Sequence, residues 1–93
     1  MERYNGWTNY ETWNWNLWIT NEEGAYNYWL ERAAEAKDAA ELAAELEADS
    51  EEMLEGIDFP TAGPLTDILN AGLSVINWSE IANSLIEAAK DAA

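Results

Sequence analysis

Cysteine and histidine are both absent from this 93-residue chain. Without cysteine there is no disulfide framework and no thiolate chemistry, and the cell interior is the expected compartment. His-based triads and thiol nucleophiles are likewise excluded, and a zinc site loses its usual ligands. No apolar run approaches the roughly 18 residues of a membrane span, and Met1-Glu2-Arg3 lacks the basic-then-apolar opening of a signal peptide. The greatest shortage is of positive charge: 4 Lys and Arg face 19 Asp and Glu, a formal charge of −15. Direct nucleic-acid binding requires basic surface to neutralise phosphates, and an anionic membrane repels such a chain. The expected partners are therefore basic surfaces. Solubility or adaptation to high salt is the plainer explanation of the same charge.

What the chain has in abundance is aromatic residues near its start. Four of the six tryptophans fall between Asn5 and Trp18, and nine of eleven aromatics precede residue 30. Each ring can bury roughly 150–250 Å², which makes this segment the expected centre of the core. Thr8-x-x-Glu11 reads as a capping box opening a helix at about Asn9. Tyr10, Trp13 and Leu17 then share one face, with Trp18 beside them and Trp15 pointing elsewhere. Asn5 and Asn9 suit turn and cap hydrogen bonds. The rings also suit a sugar-stacking platform or a binding hot spot, although core packing is the commoner use.

Farther along, Asn21 is the expected N-cap of a second helix from about Glu22, with Ala25, Tyr26, Trp29, Leu30 and Ala33 at helical spacing. No glycine or proline separates Gly24 from Gly56, so residues 22–55 form one long helix or two with a break near Lys37-Asp38. Ala39, Leu42, Leu46 and Met53 keep a helical stripe there, favouring a packed helix over a disordered acidic tail. Both prolines and two of the five glycines lie between Gly56 and Pro64, the clearest break. Pro64 suits a helix first turn. Leu65, Ile68 and Leu69 are that helix's expected buried face, with Gly72 as its end. Asn77-Trp-Ser-Glu80 is a second capping-box signal, opening an amphipathic helix with Trp78, Ile81, Ala82, Leu85, Ile86 and Ala89 in its stripe. Leu73-Ser-Val-Ile76 is the only short β-branched run. The expected fold is one all-α domain over residues 1–93, a compact bundle of four to five helices around the Trp/Tyr-rich N-terminal helix.

Asn5-Gly-Trp-Thr-Asn-Tyr-Glu-Thr-Trp13, with Leu17-Trp18 and Asn21-Glu-Glu-Gly24, resembles the opening of a family of small acidic proteins encoded by phages, plasmids and some bacteria. Leu65 to Ser74 and Val75-Ile-Asn-Trp-Ser-Glu-Ile-Ala82 are similar to its C-terminal half. The resemblance covers about two-thirds of the chain, at both ends. It implies no activity residue by residue. It does imply a mobile-element context, in which anti-defence roles are common.

The carboxylates are the remaining candidates for chemistry. Glu31 and Glu35 share a helix face, but an acid–base pair needs a cleft that pushes the two pKa values apart, and on an exposed helix both are simply ionised. Glu47-Ala-Asp49-Ser-Glu51-Glu52 alternates acids as a calcium loop does. However, Glu52 stands where the loop's glycine belongs, and Asp58 where its bidentate glutamate does. The expectation is a non-enzymatic protein without cofactor or metal. Residues 31–58 hold eleven acids against Arg32 and Lys37. Asp38, Glu41, Glu45, Asp49 and Glu52 recur as one ridge on a continuous helix, rising by about 4.5–6 Å from each to the next. That spacing is comparable to phosphates along a nucleic-acid strand, so a rigid row could enter a basic groove built for DNA. A solvated face of any acidic helix looks the same.

The functional expectation is a nucleic-acid mimic acting in the host cytoplasm, of anti-CRISPR or antirestriction type. Its partner would be a basic DNA- or RNA-binding host protein, a restriction or CRISPR effector. Glu31, Glu35, Trp15 and Trp18 are secondary partner-binding candidates. The alternative is an accessory interaction module using Trp15 and Trp18 as an exposed patch, with a homodimer among its compatible states.

Overall fold

The computed structural model describes residues 3–56 and 63–92. These form five helices: α1 (Tyr10–Asn21), α2 (Glu23–Glu35), α3 (Ala39–Glu55), α4 (Pro64–Ser74) and α5 (Trp78–Ala92). The fold is the expected all-α bundle, with no named strand among the described residues. Residues 22–55 are two helices, separated at Ala36–Asp38. Asp38 restarts the chain by accepting the Glu41 N–H at 2.9 Å, in an extended conformation that cannot continue α2.

The amphipathic stripe of α5 meets α1, α2 and α3. Ile81, Ala82 and Leu85 are buried against Trp29 and Ala33 of α2 and Leu42, Ala43 and Leu46 of α3, with Ile19 and Ile76 completing the core. Ser50, rather than Met53, continues the buried stripe of α3; its hydroxyl donates to Glu47 O at 2.6 Å, while Met53 is exposed.

Several expectations need correction. The cap of α1 is Asn9, not Thr8: Asn9 Oδ1 accepts the Thr12 N–H at 2.9 Å and its hydroxyl at 2.6 Å. Thr8 is turned instead to the start of α5. Glu22, not Asn21, caps α2, because Asn21 is still the last residue of α1. The buried side of α1 is that of Thr12 and Ile19, with Trp15 half-buried, whereas Tyr10 is 49 % exposed. Apolar residues surround α1, so spacing alone did not single out the face that α2 and α5 cover. Tyr10 and Trp13 pack instead with Tyr4, centroids 5.0–5.7 Å apart, in a cluster at the surface. On α4, Leu65 and Ile68 are solvent-facing rather than buried, and the helix runs past Gly72 to Ser74. Gly72 costs the helix propensity without ending it. The Ile57-to-Ala62 part of the proline-containing break, including Asp58, lies outside the described residues.

The two segments that carry the sequence resemblance meet in space. Tyr4 and Trp7 exchange backbone hydrogen bonds of 2.8 Å around Asn5 and Gly6, whose φ values of 47° and 87° fit the left-handed turn of a short hairpin. Thr8 N–H donates to Glu80 Oε1 at 2.9 Å, Arg3 pairs with Glu80 Oε2 at 2.6 Å, and Asn9 Nδ2 donates to Val75 O at 2.7 Å. Asn77 caps α5 by accepting the Glu80 N–H at 3.1 Å. The Glu80 carboxylate does not return to Asn77, as a closed box requires. It holds the N-terminal segment instead, and the Asn77 N–H goes to the Thr12 hydroxyl at 2.9 Å. Trp15 meets Trp78 edge-on, centroids 5.4 Å apart.

Candidate partner-binding surface

α3 presents the acidic surface. Leu42 and Leu46 are all but completely buried, so the helix is fixed to the core along one side, and its remaining circumference is free for charge. Glu41, Glu47, Glu51, Glu52 and Glu55 are exposed, and Asp49 is half-buried. α3 contains no base.

The five ridge residues fall on one side of α3 but are not equivalent. Asp38 is exposed yet engaged as the N-cap. Glu41 accepts the Lys37 N–H at 3.3 Å. Glu45 is held in a two-pronged pair with Arg32 of α2, Nε to Oε1 at 2.7 Å and Nη2 to Oε2 at 2.9 Å. Arg32 also reaches Glu35 at 2.9 Å, so one guanidinium ties three helical positions. By hydrogen bonding first, against partial desolvation, Arg32 holds the Glu45 carboxyl below the usual carboxylate range; Glu45 raises Arg32 in return. Asp49 and Glu52 border a shallow recess with Tyr28 and Trp29. The middle of the ridge is thus neutralised, leaving Glu41 and the Asp49–Glu52 pair as its charged ends.

Of the secondary candidates, Glu31 is exposed, and Glu35 is exposed but paired with Arg32. Trp15 is half-buried against Trp78, while Trp18 is 69 % exposed. The structure therefore does not join Trp15 and Trp18 into one exposed patch. Glu47 to Glu52 lie inside α3. A helical backbone turns successive carboxylates to different sides rather than wrapping them about an ion. Among the described residues, no three carboxylates converge as a metal site. No described helix is long and apolar enough to cross a membrane.

Sequence reasoning counted Glu47, Glu51 and Glu55 among the acids of residues 31–58 but left them out of the ridge, beside which the 3.6-residue period could have placed them. It also missed the Arg32–Glu45 pair, which spans 13 residues across a helix break and has no local signature. The chain matches the model of a family of unknown function, DUF7249, over residues 1–91, and belongs to that family. No curated protein and no solved structure matches it.

Proposed function

We propose that this member of DUF7249 works by binding rather than catalysis, its acidic α3 imitating nucleic acid and occupying the DNA-binding groove of a basic host protein. A restriction or CRISPR effector in the host cytoplasm is the target class. The observation that carries this reading is the placement of exposed carboxylates on a helix whose opposite side is locked into the core. From Glu41 to Glu52 the row spans about 16 Å at the helical rise. A charge of −15 adds long-range steering toward a basic groove. The Arg32–Glu45 pair fixes α2 against α3, so the row meets its partner already ordered.

The test is charge reversal at Glu41, Asp49 and Glu52, read by capture of partners from host lysate at low and raised salt. Glu45 is left alone, because lysine there would face Arg32 and confound binding with folding. The expected result is a DNA-binding complex that is retained by the native protein, displaced by added DNA and lost at high salt. It should be lost also from the E41K/D49K/E52K variant at unchanged helicity. Undiminished capture by that variant rules out the ridge. The second reading, an accessory interaction module, draws on the exposure of Trp18, and predicts a partner insensitive to salt but lost in W18A.

A further inference from the structure

Where α2 meets α3, a step back along α2 matches a step forward along α3. Arg32 meets Glu45 with both prongs of its guanidinium, Nε to Oε1 at 2.7 Å and Nη2 to Oε2 at 2.9 Å. One turn farther on, α3 again offers an acid, Asp49, but α2 offers Tyr28 in place of a base. There the two helices leave a recess of about 210 Å³, lined by Tyr28, Trp29, Glu45, Ala48, Asp49 and Glu52. Its aromatic wall is Tyr28 set edge-on to Trp29, centroids 5.0 Å apart; Trp29 is buried, and Tyr28 is 53 % exposed. Ala48 is too short to fill the gap from the α3 side. Asp49 is half-buried. Among the described residues, neither its carboxylate nor that of Glu52 has an ion pair. Partial burial strips water from a charge and makes a missing counter-charge costly.

We infer that this recess receives an arginine side chain of the partner, its guanidinium lying between the aromatic wall and the Asp49 and Glu52 carboxylates. The inference rests on the binding reading above and names the group taken up at the Asp49–Glu52 end of the ridge. Ring and carboxylates line the same small space, and that combination selects the cation. A planar guanidinium lies against an aromatic ring while giving two parallel hydrogen bonds to a carboxylate. A lysine ammonium is a compact, more strongly hydrated charge without that fork. The Arg32–Glu45 pair shows the α3 row already holding a guanidinium in this two-pronged way, one turn away. Nor does Arg32 repel a second cation, because Glu35 and Glu45 together outweigh its charge.

The probe is N-acetyl-arginine amide, titrated into the full chain and followed by amide and indole NMR shifts. N-acetyl-lysine amide and the neutral, similarly shaped N-acetyl-citrulline amide are the controls. The arginine derivative should move the Trp29 indole N–H and the Ala48–Glu52 amides saturably, the lysine derivative more weakly, and the citrulline derivative not at all. Y28L should weaken binding about threefold or more, and D49N about tenfold or more. Y28R places a guanidinium of the chain's own in register with Asp49, and should abolish binding by filling the recess. Tyr28 is exposed, so these variants should fold, as circular dichroism would verify. Shifts spread evenly along the acids of α3, equal response to arginine and lysine, or undiminished binding in Y28L and Y28R would each overturn the proposal. Recess binding without any DNA-displaceable capture removes the mimic and keeps the recess. DNA-displaceable capture that Y28R leaves intact keeps the ridge and removes the recess.

Discussion

The Thr12 hydroxyl donates to Asn9 Oδ1 and accepts from Asn77 N–H, joining the cap of α1 to the cap of α5 in a fully buried position. Valine has nearly the same shape but leaves the Asn77 N–H without its acceptor. Thr12→Val should therefore cost about 1–3 kcal/mol in urea unfolding, the penalty for a buried unsatisfied group. A loss below a few tenths would mean that water replaces the hydroxyl. The Arg32–Glu45 pair makes a prediction of a different kind. Because Glu45 is lowered below its unfolded value, the pair's contribution is present above the ordinary carboxylate range and lost as pH falls through the lowered pKa. A double-mutant cycle with Arg32→Met and Glu45→Gln should show coupling at pH 7 that vanishes in acid. Coupling that persists in acid would mean that packing, not charge, links the two. Arg32 is not legible as the partner of Glu45 from sequence: eleven acids crowd residues 31–58, and helical spacing favours Glu35, only one turn away.

Among the helices, α4 and α5 show how far periodicity reaches. Both have apolar stripes, and both stripes read as buried. In α5 the reading holds, because α1, α2 and α3 all lie against the stripe and leave Ile81 fully buried. In α4 the same kind of stripe leaves Ile68 69 % exposed. The stability consequences differ accordingly. Ile81→Ala should cost about 2–5 kcal/mol through lost burial and a residual cavity, whereas Ile68→Ala should stay within about 0.5 kcal/mol. Equal losses at the two sites would show that Ile68 is covered in solution by this chain or by another copy of it. The acidic ridge has a similar history. Its helical spacing was readable, but Glu45's neutralisation and Asp38's use as a cap depend on where α2 ends and how it packs.

For the molecule as a whole, the dominant quantity is the charge of −15, and it acts against folding. Among the described residues, three ion pairs involve a base other than Lys90, and two of the three converge on Arg32. Salt should therefore stabilise this protein: screening relieves the repulsion among many carboxylates and weakens only a few partly exposed pairs, each worth little. Raising NaCl from about 0.01 M to 0.15 M shortens the Debye length from about 30 Å to about 8 Å, and Tm should rise over that range. A fall in Tm would mean that the few pairs outweigh the repulsion. The same screening should weaken any partner drawn by the field, so stability and binding should move in opposite directions with salt.

Helix content, the Asn77 cap, the role of Pro64 and the excess of acid were all determined by the sequence itself. Each depends on local chemistry: propensity, a side-chain oxygen three residues before an N–H, a ring without a donor, or a sum of charges. The side on which each helix is buried was left to the tertiary structure. α1 is apolar on several sides, and only the approach of α2 and α5 selects Thr12 and Ile19 over Tyr10. The Glu80 carboxylate could close its own box, but its better use is the Thr8 N–H and Arg3, more than 70 residues away in sequence. Periodicity fixes the angle of a residue around its own axis. It does not say which neighbour arrives there, and on that depend which carboxylates and which apolar side chains remain free to meet a partner.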